Sequence, residues 1–150
     1  MNRIFTNVSL ILFLALFSLL SLAVQANNTK VYKSHTVHYN AFPTDSLPPE
    51  MTQRYHLKRS KNMALVNISI IKNEASIQIQ GVKSTVSGVL KNLMAQEKKL
   101  SFQEIHEGQA YYYIAEVPVE HNEVVKFKIQ IKTSDNQNYE LTFDKQFATR

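Results

Sequence analysis

Histidines and methionines are the residues of this 150-residue chain best suited to site chemistry. Their spacing limits what they can do. His35 and His38 are three apart. On an extended strand, positions i and i+3 point to opposite faces, so these two cannot share a metal ion without a bulge. His56 stands in a basic stretch, flanked in sequence by Met51 and Met63. Imidazole suits Cu(II) and thioether suits Cu(I), which makes His38, His56 and Met51 the candidate metal ligands. The plainer role for the same residues is structural. Met51 would pack a helix against the core, and the histidines would face solvent. His106 and His121 fall in or beside turns.

Other catalytic chemistry has less to work with. The chain has no cysteine, hence no thiolate nucleophile, no disulfide and no cysteine metal ligand. No Gly-x-Ser-x-Gly elbow is present, and no phosphate loop, dinucleotide fingerprint or zinc-protease helix. Glu104 with Glu107, and Glu116 with Glu120 and Glu123, cluster near turns, where carboxylates solvate strand ends rather than face each other across a sugar. A triad is recognised by geometry alone, which keeps an envelope hydrolase as an alternative. The residues favour a non-enzymatic protein with no cofactor.

Two basic groups remain. Arg54, Lys58, Arg59 and Lys61 form one; Lys126, Lys128 and Lys132 form the other. Such groups can meet anionic lipid or acidic glycans. The second alternates with apolar residues, so its simplest role is the solvated face of a sheet, where lysines also discourage edge pairing.

The N-terminus explains which partners are available. Arg3 precedes an apolar run from Val8 to Val24, and Val24-Gln25-Ala26 supplies small residues where a signal peptidase reads. This is a secretory signal peptide over residues 1–26, cleaved after Ala26. An uncleaved anchor is the alternative, since the run approaches the length of a membrane span. Cleavage removes Arg3 alone among the charges, so the net charge falls from +5 to +4. A periplasmic or secreted location follows. The partner is then an envelope protein, lipid or glycan, with no nucleic acid and no stable membrane span after cleavage.

The mature chain, 27–150, reads as one domain. Lys30–Asn40 is a first strand, ended by Phe42-Pro43. Ser46, Pro48, Pro49 and Glu50 suit a helix start, predicting a short helix over Pro48–Tyr55 with Leu47, Met51 and Tyr55 on its inner side. Strands follow at Met63–Ile71, Ala75–Gln80, Val86–Leu93, Leu100–Ile105 and Ala110–Val119. Ser87-Gly88 reads as a bend or bulge, and Met94–Lys99 as a polar loop. Val125, Phe127, Ile129 and Ile131 then alternate with polar residues, as do Tyr139, Leu141, Phe143 and Phe147. A one-residue slip there would send every apolar side chain to water, so the register is fixed. The pattern predicts an all-β, antiparallel immunoglobulin-like β-sandwich of about seven or eight strands with one short helix after the first strand. A small barrel is the alternative.

Several segments carry a family likeness: His38-Tyr39-Asn40-Ala41-Phe42, Arg59-Ser60-Lys61-Asn62, Leu65-Val66-Asn67-Ile68-Ser69-Ile70, Ser87-Gly88, Asn92-Leu93 and Tyr112-Tyr113-Ile114-Ala115. Through them the chain resembles the exported proteobacterial proteins grouped as domain of unknown function 4426, over nearly all of its mature length. The resemblance implies a Gram-negative source and a periplasmic location. It carries no activity and no assigned residues.

The functional expectation is an interaction or accessory module of the cell envelope, with periplasmic copper or zinc binding as the alternative. Irregular segments displayed on a rigid sheet tend to carry function. The candidate partner-binding residues are therefore Tyr39, Asn40, Phe42, Arg54, Arg59 and Lys61.

Overall fold

Alternation decides the architecture. Val125, Phe127, Ile129 and Ile131 are buried, while Lys126, Lys128, Gln130 and Lys132 between them are exposed. The computed structural model describes residues 28–73 and 80–148. Its strands are β1 (Thr29–Val31), β2 (His35–Pro43), β3 (Met63–Lys72), β4 (Ser84–Lys91) and β5 (Glu97–Leu100), then β6 (Gln103–Glu107), β7 (Ala110–Pro118), β8 (Val124–Thr133) and β9 (Asn138–Gln146). They form two antiparallel sheets, β1-β2-β3-β7-β6 and β5-β4-β8-β9. Val37, Val66, Ile68 and Ile70 of the first pack with Phe127, Ile129, Ile131 and Leu141 of the second in one apolar cluster.

The predicted sandwich is present, with nine strands rather than seven or eight. Two of the predicted strands are each two. Lys30–Asn40 folds back on itself, and Tyr32 N–H donates to the His35 carbonyl at 2.8 Å to close the turn between β1 and β2. The helix therefore follows the second strand. Leu100–Ile105 is split at Ser101-Phe102, where the chain crosses from one sheet to the other. The polar loop expected over Met94–Lys99 instead starts β5 at Glu97. Gly88 lies within β4, opposite Ile129, and makes no bend. The leader expected over 1–26 lies outside the described residues, as does most of the strand expected at Ala75–Gln80. No helix among the described residues is long and apolar enough to cross a membrane.

Buried polar groups tie the sheets together. Tyr113 on β7 is buried, and its hydroxyl accepts the Ser84 amide of β4 at 2.6 Å. Burial pushes the phenol up to about 12, so it stays a neutral donor, here toward Glu104 Oε2 at 3.3 Å. His35 on β2 is fully buried, with Nδ1 2.9 Å from the Tyr139 hydroxyl of β9. Its Nε2 faces the Asp135 carboxylate at 3.6 Å. His35 is thus an inter-sheet pin and not one of the surface histidines, and it points away from the exposed His38.

A candidate binding cleft on the outer face of the five-stranded sheet

The site begins where β2 ends. Pro43 leads into a 3-10 turn, Thr44–Ser46, and then α1 (Pro49–Arg54). Pro48 and Pro49 preset the backbone for a first helical turn, and Glu50 and Arg54 lie at the favourable ends of the helix dipole. Ser46 does not cap α1; its hydroxyl donates to the Pro43 carbonyl at 2.7 Å inside the 3-10 turn. The helix stops after six residues because His56 takes a left-handed conformation, φ 54°. Leu57 N–H then reaches back to the Thr52 carbonyl at 2.8 Å, a bond pattern that closes many helices.

The connector to β3 is clamped. Thr44 is buried; its hydroxyl donates to the Lys58 carbonyl at 2.7 Å and accepts the Ser60 amide at 3.0 Å. Arg59 donates to the carbonyls of Asp45 at 2.7 Å and Leu47 at 3.2 Å. The Tyr55 hydroxyl donates to Glu107 Oε1 on β6, and that carboxylate raises the Tyr55 phenol above its usual range. These bonds hold α1 over the outer face of the sheet at a fixed height.

Beneath α1 the sheet is apolar. Leu65 and Ile114 are buried there with Leu47, and Phe42, Tyr55, Leu57 and Ile105 pack against them. This second cluster leaves a groove of about 300 Å³ between helix and sheet, with Met51 at its lip, 43% exposed. Asn67 and Tyr112 line its far side and also line a second, polar cleft of about 370 Å³. The polar cleft is walled by Asn28, Thr29, His38, Asn40 and Ser69. At the junction Asn67 Oδ1 is buried and has no hydrogen-bond partner.

The predicted site residues divide. Phe42 is in the apolar floor and Asn40 in the polar cleft, where its Oδ1 accepts the Ala41 amide at 2.9 Å. Tyr39 also lines the polar cleft, and its ring packs on Phe143 with centroids 4.6 Å apart. Arg59 is the clamp described above, and Arg54, Arg59 and Lys61 are all exposed. Of the metal candidates, His38 lines the polar cleft, Met51 the apolar groove, and His56 the helix end. Among the described residues no group of three histidine, cysteine, aspartate or glutamate side chains is placed to hold a metal ion. Sequence reasoning missed Leu65, Asn67, Ile105, Tyr112 and Ile114. A signal existed: Ala64-Leu65-Val66 and Tyr113-Ile114-Ala115 are unbroken apolar runs, which a strand needs only when both its faces are covered.

These features define an antiparallel β-sandwich with a helix-framed outer cleft. The chain belongs to the family of domain of unknown function DUF4426, whose family model matches residues 29–149. It is similar to the crystal structure of a DUF4426 family protein from Pseudomonas aeruginosa PAO1, with a TM-score of 0.72 and 24% identity, covering 85% of this chain and 98% of that one. It is also similar in fold to FetP of uropathogenic Escherichia coli strain F11, recombinantly expressed in the periplasm, with a TM-score of 0.59 and 11% identity over 83% of this chain and 95% of that one. A copper-bound variant of FetP matches with the same score and identity, over 83% of this chain and 97% of its own. No curated protein matches the chain.

Proposed function

We propose that the protein is a periplasmic, non-enzymatic binding module of the cell envelope, and that its site is the two-part cleft on the outer face of the five-stranded sheet. The occupant is an extended, uncharged peptide segment of an envelope protein, anchored by one apolar side chain. One observation carries the reading. The apolar groove, whose one charged lining residue, Glu107, accepts the Tyr55 hydroxyl, runs at Asn67 and Tyr112 into a cleft whose described lining is carboxamide, hydroxyl, phenol and His38, with no Lys, Arg, Asp or Glu. Carboxamides both donate and accept, as a peptide bond does. The unpartnered Asn67 Oδ1 offers an acceptor to an incoming N–H. The leader over residues 1–26 and the likeness in fold to FetP, expressed in the periplasm, support the location.

Photo-crosslinking in cells tests this. A crosslinker in place of Met51, at the groove lip, should capture one discrete protein through a segment bearing an apolar residue without neighbouring charge. The same probe in place of Thr85, exposed on the other sheet, should not capture it. Asn67→Asp keeps the shape and adds a charge, and should cut the Met51 crosslink about tenfold. Equal capture from Thr85, or a highly charged crosslinked segment, would overturn the reading.

Copper or zinc handling is the second reading, favoured by the copper-bound state of a FetP variant. It would draw on His38, with Met51 or His56 brought closer by binding. Titration of the metal-free mature protein should show affinity for Cu(I), Cu(II) or Zn(II) that a His38→Ala, His56→Ala double variant loses; equal affinity ends this reading.

A further inference from the structure

The hairpin between β4 and β5 presents Leu93 and Met94 side by side at its tip, 84% and 75% exposed. They are held there. Asn92 N–H donates to the Gln96 carbonyl at 3.1 Å, and Ala95 N–H to the Asn92 carbonyl at 3.0 Å. The Asn92 side chain clasps Gln96: the Gln96 backbone N–H donates to Asn92 Oδ1 at 2.9 Å, and Asn92 Nδ2 donates to Gln96 Oε1 at 2.8 Å. Ala95 takes a left-handed φ of 62° to close the turn. The fold gains nothing from apolar side chains at this position, where turns ordinarily carry small polar residues.

The surroundings of the tip are basic. The hairpin residues 91–100 hold Lys91, Lys98 and Lys99 against a single carboxylate, Glu97, which is 3.5 Å from Lys91. Lys126 of β8 stands beside Lys91 in register, with the Asp144 carboxylate 3.9 Å from its ammonium. Lys61 is exposed, and its neighbour Asn62 lines a shallow cleft with Asn92, Gln96 and Lys98. Glu120 and Glu123 form the far wall of that cleft, and the Glu123 carboxylate accepts the Glu120 amide at 3.0 Å.

We propose that this tip docks the protein on an anionic phospholipid bilayer. Leu93 and Met94 enter the boundary between headgroups and acyl chains, and Lys91, Lys98 and Lys99 lie at the level of the phosphates. The argument for a bilayer is charge complementarity around an apolar tip. Neither signal suffices alone, and the pair gives weak, reversible attachment. A module so attached scans partners on one membrane surface while the outer cleft stays free.

The chain has no tryptophan, so Met94→Trp in the mature protein gives a single reporter. With vesicles of phosphatidylethanolamine and phosphatidylglycerol its emission should shift to the blue, and with phosphatidylcholine alone it should bind about tenfold more weakly. In vesicle flotation, Leu93→Ser with Met94→Ser should lower binding about tenfold while leaving the urea midpoint unchanged. Lys98→Gln with Lys99→Gln should weaken it several-fold and flatten its dependence on salt. No binding to either vesicle, or undiminished binding by the serine double variant, overturns the proposal. So does a tip-dependent dimer in sedimentation without vesicle binding, which would make a second copy the occupant.

Discussion

Phe127→Ala is expected to lower the unfolding free energy of the mature protein by about 4 kcal/mol. Phe127 is fully buried at the centre of β8, and its ring stacks on Phe143 with centroids 4.8 Å apart. Truncation removes the transfer energy of the ring and leaves a cavity between two sheets that cannot collapse far. Ile129 beside it is held in ladders on both edges of β8, and Val125 pairs with Lys145 of β9. An ordinary domain has about 5–15 kcal/mol in all, and this chain has no disulfide to supplement its core. Urea denaturation followed by circular dichroism would measure the loss. A drop below about 1 kcal/mol would mean that the core is not packed as described.

The second large effect is expected at Gly88. A β-carbon there would stand 2.7 Å from the Lys128 carbonyl oxygen and 2.8 Å from Ile129 Cδ1. The first is backbone and cannot rotate away. Gly88→Val should therefore cost about 3 kcal/mol, by forcing β4 and β8 apart. Gly108 is the contrast. It takes φ +58° in the β6–β7 turn, and a β-carbon there would meet nothing within 4 Å. Gly108→Ala should cost about 1 kcal/mol, from backbone conformation alone. Similar losses at the two positions would contradict the close approach of β4 and β8.

Gly88 also shows where reading the chain stops short. In one dimension a glycine after serine reads as a bend. Here it is the residue that lets a neighbouring strand come near, and proximity of strands distant in sequence is not written locally. The β8–β9 pair was legible because each residue alternates and the two strands are joined by one polar turn. Lys30–Asn40 was not legible as a hairpin, because Tyr32, Lys33 and Ser34 contain neither the glycine nor the asparagine that marks a tight turn. The helix was legible from its prolines, and His56 as its stop was not, since glycine is the usual left-handed residue there.

The cleft was half legible. Phe42, Asn40, His38 and Met51 all line it, and the irregular stretch after β2 does frame it. Arg59 has a structural role that its place in a basic connector did not show. Its hydrogen bonds to Asp45 and Leu47 depend on how the 3-10 turn folds back. Tyr39 lines the cleft and packs on Phe143 of the other sheet as well, a contact that its strand alone could not show. Asn67 lies on the face of β3 opposite Val66, Ile68 and Ile70. The apolar residues on either side of that face, Leu65 and Ile114, are what convert it into the floor of a groove.

Amide chemical-shift mapping tests the cleft most directly. Mature protein labelled with nitrogen-15 is titrated with an uncharged peptide carrying one apolar anchor, taken from the crosslinked segment or selected from a library. Shifts should concentrate at Leu65, Asn67, Tyr112 and Ile114, leave Lys128 and Gln130 on the opposite sheet unmoved, and vanish when Met51→Glu puts a charge at the exposed lip. Shifts spread over the lysine face of β8, or binding indifferent to Met51→Glu, would contradict a binding site in the cleft.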